Sequence, residues 1–402
     1  MAEAEIGATG RQSRRFLYLY ALAVAGGAVA YVPFLTILLP NHVTTLGKGQ
    51  ALGLMAYTTF AGAVTASLAN IAFGWASDRT GSRRPWVWGG LVLCTLLLPA
   101  MQFATTPIAL IGLIVAWQAS LNMMLAPLAA WAGDCVPNSQ KGLLGGLLAF
   151  APALGALSGA SVTTPGLADP AERLTAVALL VLAMVSPVLL FGRPLPMPEL
   201  MARESNAMPD DDKGQWTPMA TMWLARLCVQ IAEASLFAFL LLWFRSVAPD
   251  FSDHDAASIF AAVLCGAVVF ALVAGRWSDK AERPILPLIA GAAISAVGLL
   301  IMALATSLPM AIAGYVIFSL ASGIFLALHS SQTLRVLPAF NTRGRNLGFF
   351  NLTNTVPSLV MPWLTMAMVP DYGFKALFLL LAGLALLACL ILIPMDQAGR
   401  RA

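Results

Sequence analysis

The chain has 402 residues, of which 59% are hydrophobic and 10% charged, with a formal net charge of +4. Soluble domains carry about 25% charged residues, so most of this surface must face something other than water, and the mean hydropathy of +0.80 makes that a bilayer. The basic residues form no stripe with interleaved aromatics, which sets nucleic acid aside.

Twelve apolar stretches follow in chain order: 16–40, 51–75, 86–104, 107–132, 143–163, 174–192, 217–243, 256–275, 285–305, 308–334, 347–368 and 373–394. Each is long enough to cross about 30 Å of hydrocarbon as a helix. They are apolar all round rather than alternating, which excludes a membrane β-barrel and leaves a helical bundle. The first run follows Arg11, Arg14 and Arg15 and contains Ala28-Val29-Ala30, which mimics a signal-peptidase site; because the run continues through Leu39, it reads as a retained helix. With the N-terminus inside, 18 Lys and Arg fall on the inner side of the spans and 4 on the outer. That asymmetry predicts both termini in the cytoplasm.

Between the sixth and seventh spans, residues 193–216 hold the prolines of Arg193-Pro-Leu-Pro-Met-Pro198 and the acids Asp210, Asp211 and Asp212. This composition predicts a linker. The expected organisation is an N-tail (1–15), a six-helix bundle (16–192), the linker (193–216), a second bundle (217–395) and a C-tail (396–402). The halves repeat. Gly74-Trp-Ala-Ser-Asp78-Arg79 recurs as Gly275-Arg-Trp-Ser-Asp279-Lys280, and Pro137 with Lys141-Gly142 recurs as Pro338 with Arg343-Gly344, at offsets of 201 and 202. Such repeats mark secondary transporters, whose halves rock about a central site.

The loop Gly74-Trp-Ala-Ser-Asp78-Arg79-Thr-Gly81-Ser-Arg83-Arg84-Pro85, between the second and third spans, resembles the signature loop of the major facilitator superfamily. Ser77-Asp78-Arg79 with Arg83-Arg84-Pro85, and the stretch from Arg343 through Asn351 and Asn354 to Pro357, are similar to the sucrose-transporter and glycoside–pentoside–hexuronide symporter branches. The resemblance implies an all-α membrane protein of twelve helices in two pseudo-symmetric six-helix bundles. It also implies an inner-side latch: Asp78 docking on the start of the eleventh helix near Arg345, and Asp279 on the start of the fifth near Lys141. Arg79, Arg83, Arg84, Asp134, Lys280 and Arg343 complete the latch group. A carboxylate suits this task, because it caps the positive end of a helix dipole and can be withdrawn.

Only Arg226 among the basic residues, and only Glu233 among the acids, lie deep within a span. A charge there costs at least about 2.5 kcal/mol on insertion scales, so its presence calls for a use. Their spacing of seven puts both on one helix face, about 10.5 Å apart along the axis, too far for an ordinary ion pair within one helix, so each should find its partner elsewhere. A carboxylate at that depth loses its hydration when charged and can exchange the charge for a proton. Glu233 is therefore the expected proton carrier, and Arg226 a substrate anchor or the charge that resets Glu233. His329, the one histidine inside a span, is a candidate relay. Tyr31, Gln118, Asn122, Gln332, Asn351 and Asn354 could furnish a sugar-like site, since amides offer donors and acceptors together and rings stack on sugar faces. The alternative for each amide is a bond between helices.

The five cysteines are scattered, with no Cys-x-x-Cys pair, and read as buried apolar side chains rather than metal ligands. No span or loop carries H-E-x-x-H, G-x-S-x-G or a phosphate-binding glycine loop, so no enzyme and no cofactor is expected. The expectation is a monomeric transporter of the inner membrane, moving a sugar or glycoside with H+ by alternating access. The alternative is proton-driven efflux of an amphipathic drug, lipid or siderophore.

Overall fold

In the computed structural model, the described residues are 11–47, 49–137, 140, 143–144, 147–148, 150–195, 216–280, 283, 285–336 and 343–399; side chains at 216–219, 278–280, 330–336, 343–352, 354–355 and 397–399 fall outside that description. Every regular element among them is helical. In chain order these are α1 (Arg14–Leu46), α2 (Ala51–Arg79), α3 (Arg84–Ala100), α4 (Pro107–Cys135), α5 (Ala151–Thr163), α6 (Arg173–Phe191), α7 (Trp216–Val247), α8 (Asp253–Lys280), α9 (Leu286–Ala303) and α10 (Leu308–Val336). The last stretch, Arg343–Gly399, breaks at Gly373, whose φ of 71° and ψ of 173° are not helical, into α11 (343–372) and α12 (374–399). A left-handed φ is open to glycine without a Cβ clash, which locates the break there.

Local sequence sets the helix ends. Ser13 caps α1 by accepting from Phe16 N at 3.3 Å, and Thr106 caps α4 by accepting from Ala109 N at 3.2 Å, with Pro107 in the first turn. Pro33 lacks the N–H that would continue the ladder of α1, and the helix widens to a π-turn over Phe34–Leu38.

Among the described residues, ten stretches are long and apolar enough to cross a membrane, and one of them, Val356–Asp396, spans 41 residues across the Gly373 break. Large apolar side chains such as Leu68, Ile71, Leu96, Ile108, Leu179, Leu272 and Leu390 point outward, exposed. Water would not tolerate so continuous an apolar surface, and the protein is an integral membrane protein on this ground.

The chain divides into two units. Unit 1 comprises Met1–Gly49, Ala61–Asn206 and Asp253–Ala261; unit 2 comprises Gln50–Phe60, Ala207–Ser252 and Ala262–Ala402. The start of α2 thus belongs to unit 2 and the start of α8, related to it by the repeat, to unit 1. In unit 1, α1 packs on α5 and α6, and α3 packs on α4 and α6. In unit 2, α7 packs on α10 and on the α11–α12 stretch, and α9 packs on α10 and on that same stretch. The pairings are those of one plan used twice. Between lipid-embedded helices there is little hydrophobic driving force, so close packing of small residues has to hold them. A Cβ on Gly90 of α3 would lie 2.8 Å from Met124 Cα and Cβ of α4, and one on Gly291 of α9 would lie 3.2 Å from Phe325 Cβ of α10. Both members of this contact obey the offset of 201.

Inside unit 1, Phe16 meets Trp131 edge-on at 5.6 Å, Phe34 meets Trp117 at 4.8 Å, and Tyr20 donates to Leu128 O at 3.0 Å. Unit 2 is centred on Met222, Ala225, Val229, Leu288, Ala292, Phe325 and Leu392.

One side chain ties the N-terminal end of unit 1 together. Gln12, 3% exposed, donates through Nε2 to Cys135 O at 2.9 Å and Leu195 O at 3.1 Å, and its Oε1 accepts from Leu195 N at 2.9 Å. Its backbone pairs with the side chain of Gln140: Gln12 N donates to Oε1 at 2.6 Å and Gln140 Nε2 donates to Gln12 O at 2.9 Å. The end of α4, the segment after it and the segment after α6 thereby converge on a residue just before α1.

Candidate functional site

The two charges expected deep in the seventh span both face α10. Arg226 Nη1 donates to Leu326 O at 3.4 Å and lies 3.5 Å from His329 Nδ1. Two turns on, Glu233 Oε2 accepts from Ser322 Oγ at 2.8 Å. The spacing is seven on α7, from 226 to 233, and seven in reverse on α10, from 329 to 322. Two antiparallel helices with matched stripes therefore meet at two polar rungs, separated by about 10.5 Å of rise.

Each rung has internal order. His329 is fully buried, and its Nε2 lies 2.8 Å from Met222 O. A carbonyl only accepts, so Nε2 carries the hydrogen; Nδ1 then offers its lone pair to the Arg226 guanidinium, and the ring is neutral. His329, expected as a relay, has both ring nitrogens engaged, one by Met222 O and one by Arg226. At the other rung, Ser322 has a second acceptor, Ser319 O, at 3.3 Å. The hydroxyl can point its single hydrogen at the carboxylate or at that carbonyl. Arg226 and Glu233 are both half-buried, and Ser319 and Ser322 are buried. Serines in spans usually bond to their own helix, as Thr58 and Ser120 do here to Leu54 O and Ala116 O, which hides a serine that turns to a neighbouring helix.

Unit 1 holds other expected residues. Asn122 donates to Gln118 O at 2.9 Å and accepts from Asn70 Nδ2 of α2 at 3.3 Å. Gln118 runs beside Gly62 of α2, whose Cβ would sit 3.4 Å from its Nε2. Asn122 thus bonds between helices, and its partner Asn70, which sequence reasoning missed, is part of the set. Tyr31 is half-buried on α1.

The signature loop forms an ion cluster within unit 1. Arg83 is its hub: Nε donates to Asp134 Oδ2 at 2.9 Å, Nη1 donates to Ser77 Oγ at 2.6 Å, and Nη1 also pairs with Asp78. Asp134 is 22% exposed and Asp78 63% exposed, so the first pair is the better shielded. Burial alone lowers the Arg83 pKa, but the hydrogen bonds and charges of Asp134 and Asp78 outweigh it and leave it raised. Arg84 donates to Leu189 O of α6, and Arg79 lies over the Trp75 ring at 5.3 Å. The side chains of Gln332, Asn351, Asn354, Asp279, Lys280, Lys141, Arg343 and Arg345 lie outside the description, including both expected docking partners, Arg345 for Asp78 and Lys141 for Asp279.

Among the described residues no group of His, Cys, Asp or Glu is placed to hold a metal ion.

Residues 222–402 match the family model of the Major Facilitator Superfamily. No curated protein sequence matches the chain. Solved structures do resemble it. A bacterial homolog to the human lysosomal transporter Spinster, in an inward-facing and unoccupied conformation, superposes with a TM-score of 0.74 at 14% identity, over 96% of this chain and 98% of that one. A POT family transporter in complex with 5-aminolevulinic acid gives 0.72 at 14% identity over 95% of each chain. The human organic anion transporter MFSD10 (TETRAN) gives 0.67 at 15% identity, over 94% of this chain and 99% of that one. The chain therefore has the major facilitator fold, and the part of its sequence from Met222 onward matches that superfamily's model.

Proposed function

We propose that the protein is a secondary transporter that moves a small polar organic solute by alternating access and couples that movement to protons through Glu233. The carrying observation is the Glu233–Ser322–Ser319 arrangement. When Glu233 is ionised, the Ser322 hydroxyl donates to it. When Glu233 is protonated, the carboxyl donates to Ser322 Oγ, and Ser322 turns its hydrogen to Ser319 O. Both protonation states are then hydrogen-bonded without movement of the helices, which is what a group that must take up and release a proton in a low-dielectric span requires.

The repeated inner loop, the fold and the family match from Met222 onward support a transporter. The narrower likeness of the 77–85 and 343–357 segments to sucrose and glycoside carriers favours a sugar-like solute. The charge bias of the loops supports cytoplasmic termini in the inner membrane, and twelve helices in two bundles suit a working monomer.

The test uses the purified full-length chain in liposomes with a trapped pH dye and an inward solute gradient. Wild type is expected to acidify the lumen with solute entry. Glu233→Gln is expected to lose the acidification while still exchanging labelled solute across the membrane at equal concentrations. Acidification by Glu233→Gln at the wild-type rate sinks the coupling role.

A further inference from the structure

We infer that the ion pair between Arg173 and Asp253 is a releasable strap, which holds the first turns of α8 on unit 1 and parts when α8 leaves it. This rests on the alternating-access part of the reading above and not on Glu233.

α8 is divided between the units. Its first turns, Asp253–Ala261, belong to unit 1, whereas the chain before them through Ser252 and the rest of α8 from Ala262 belong to unit 2. The approach is anchored in unit 2: Phe251 packs on Phe244 of α7 at 4.9 Å, and its carbonyl accepts from Arg245 Nε at 3.5 Å. A segment continuous with unit 2 at both of its ends stays on unit 1 only through its side chains. Arg173, in the first turn of α6, donates from Nη1 to Asp253 Oδ2 at 2.9 Å, with the two side chains 14% and 13% exposed. One turn on, Ala257 is buried, and a Cβ placed on Gly159 of α5 would lie 4.0 Å from its own. A methyl group facing a glycine is a light contact, and the ion pair is the stronger fastening of the two.

The repeat supplies a comparison. α2, the counterpart of α8, is divided in the same manner, with its start through Phe60 in unit 2. Its fastening there is aromatic: Trp363 of α11 meets Tyr57 edge-on at 6.1 Å and Phe60 at 5.1 Å. The two divided helices are thus held by opposite chemistry, and the charged one is built to let go. Desolvation opposes the attraction within a shielded pair, so when the starts of α6 and α8 part into water both charges recover hydration and the net cost is modest. The guanidinium is also incompletely used. Arg173 Nε is buried and meets no acceptor among the described residues, a donor that opening would hydrate. Asp253 has a second task, since with Asp255 it lies in the first turn of α8, where acids suit the helix dipole. Arg173 is therefore the partner to change, because its removal leaves the head of α8 intact.

The test reads opening at Ala257→Cys in the full-length, detergent-solubilised protein. Ala257 is 1% exposed while the strap is made, so a thiol there reacts with a polar maleimide in proportion to the open fraction. Peptide mass spectrometry separates that site from the native cysteines. Cys94, at 0% exposure inside unit 1, reports general loosening. Arg173→Gln is expected to raise labelling at 257 about tenfold, between the effects of exposed and buried pairs, with Cys94 unchanged. Arg173→Lys, which keeps the charge but moves it, is expected to give a smaller rise. Labelling within twofold of the parent in both variants, or Cys94 rising in step with 257, overturns the inference. If labelling responds as expected but Glu233→Gln acidifies liposomes at the wild-type rate, the strap stands and the coupling reading falls. If labelling does not respond while Glu233→Gln loses the acidification, the strap falls and the coupling reading stands.

Discussion

Alanine placed at two repeat-related glycines should give unequal results. At Gly90 the new Cβ would lie 2.8 Å from Met124 Cα and Cβ and closer still to Met124 N, all on or next to backbone that cannot swing away. Restoring ordinary contact near 3.6 Å requires α3 and α4 to part by more than about 0.8 Å, since Met124 N is nearer still. At Gly291 the nearest atoms, Ala321 O and Phe325 Cβ, are 3.2 Å away, and about 0.4 Å suffices. Overpacking costs about 1–3 kcal/mol, with Gly90 at the upper end. Against this, alanine gains about 1 kcal/mol of helix propensity over glycine at either site. The net is about 2 kcal/mol of destabilisation for Gly90→Ala and near zero for Gly291→Ala. In a unit of this size that is a Tm loss of about 4–8 °C for the first variant and little change for the second. Thermal scans of the detergent-solubilised protein, read by the monodisperse fraction after heating, measure both. Equal losses, or the larger loss at Gly291, would refute the reasoning that backbone approach sets the cost.

Gln12→Ala removes three long-range side-chain hydrogen bonds, to Cys135 O, Leu195 O and Leu195 N, besides the local one from Ser13 N. At about 1 kcal/mol each the same thermal scan should register about 3 kcal/mol. Gln140→Ala, which leaves Gln12's own side chain in place, should cost less. In the signature loop, Asp134→Asn should lower stability more than Asp78→Asn, because Asp134 is the more shielded partner of Arg83. Asp78→Asn should show itself in the transport rate at normal surface expression, and a wild-type rate would end the latch reading.

Much of the architecture was legible in the residues. The offset of 201 between Asp78 and Asp279 foretold a repeated plan, and the helix pairings of the two units follow it. The glycine contacts that obey the same offset were hidden, since 33 glycines in apolar runs offer no way to tell a helix contact from a neutral filler. The rungs of α7 were half visible. Charges at 226 and 233 announce themselves by their cost, whereas Ser322 and the antiparallel register that brings it to Glu233 emerge only when α10 is laid alongside. At His329 the residue type suggested proton traffic, and the carbonyl of Met222 that fixes its tautomer is invisible in sequence. Likewise, the amide of Asn122, chosen for its affinity to hydroxyls, meets Asn70 of α2 and the Gln118 carbonyl of its own helix first.

Gln12 also bears on how the protein comes into being. It is synthesised before all of its partners, which lie 123 residues on at Cys135, 128 at Gln140 and 183 at Leu195. Each new span has to enter the bilayer before the next acceptor exists, so the clasp closes in stages and its final bond waits for the sixth helix. The first unit thus carries a built-in marker of its own completion, written in the last contact to form, that of Leu195 with Gln12.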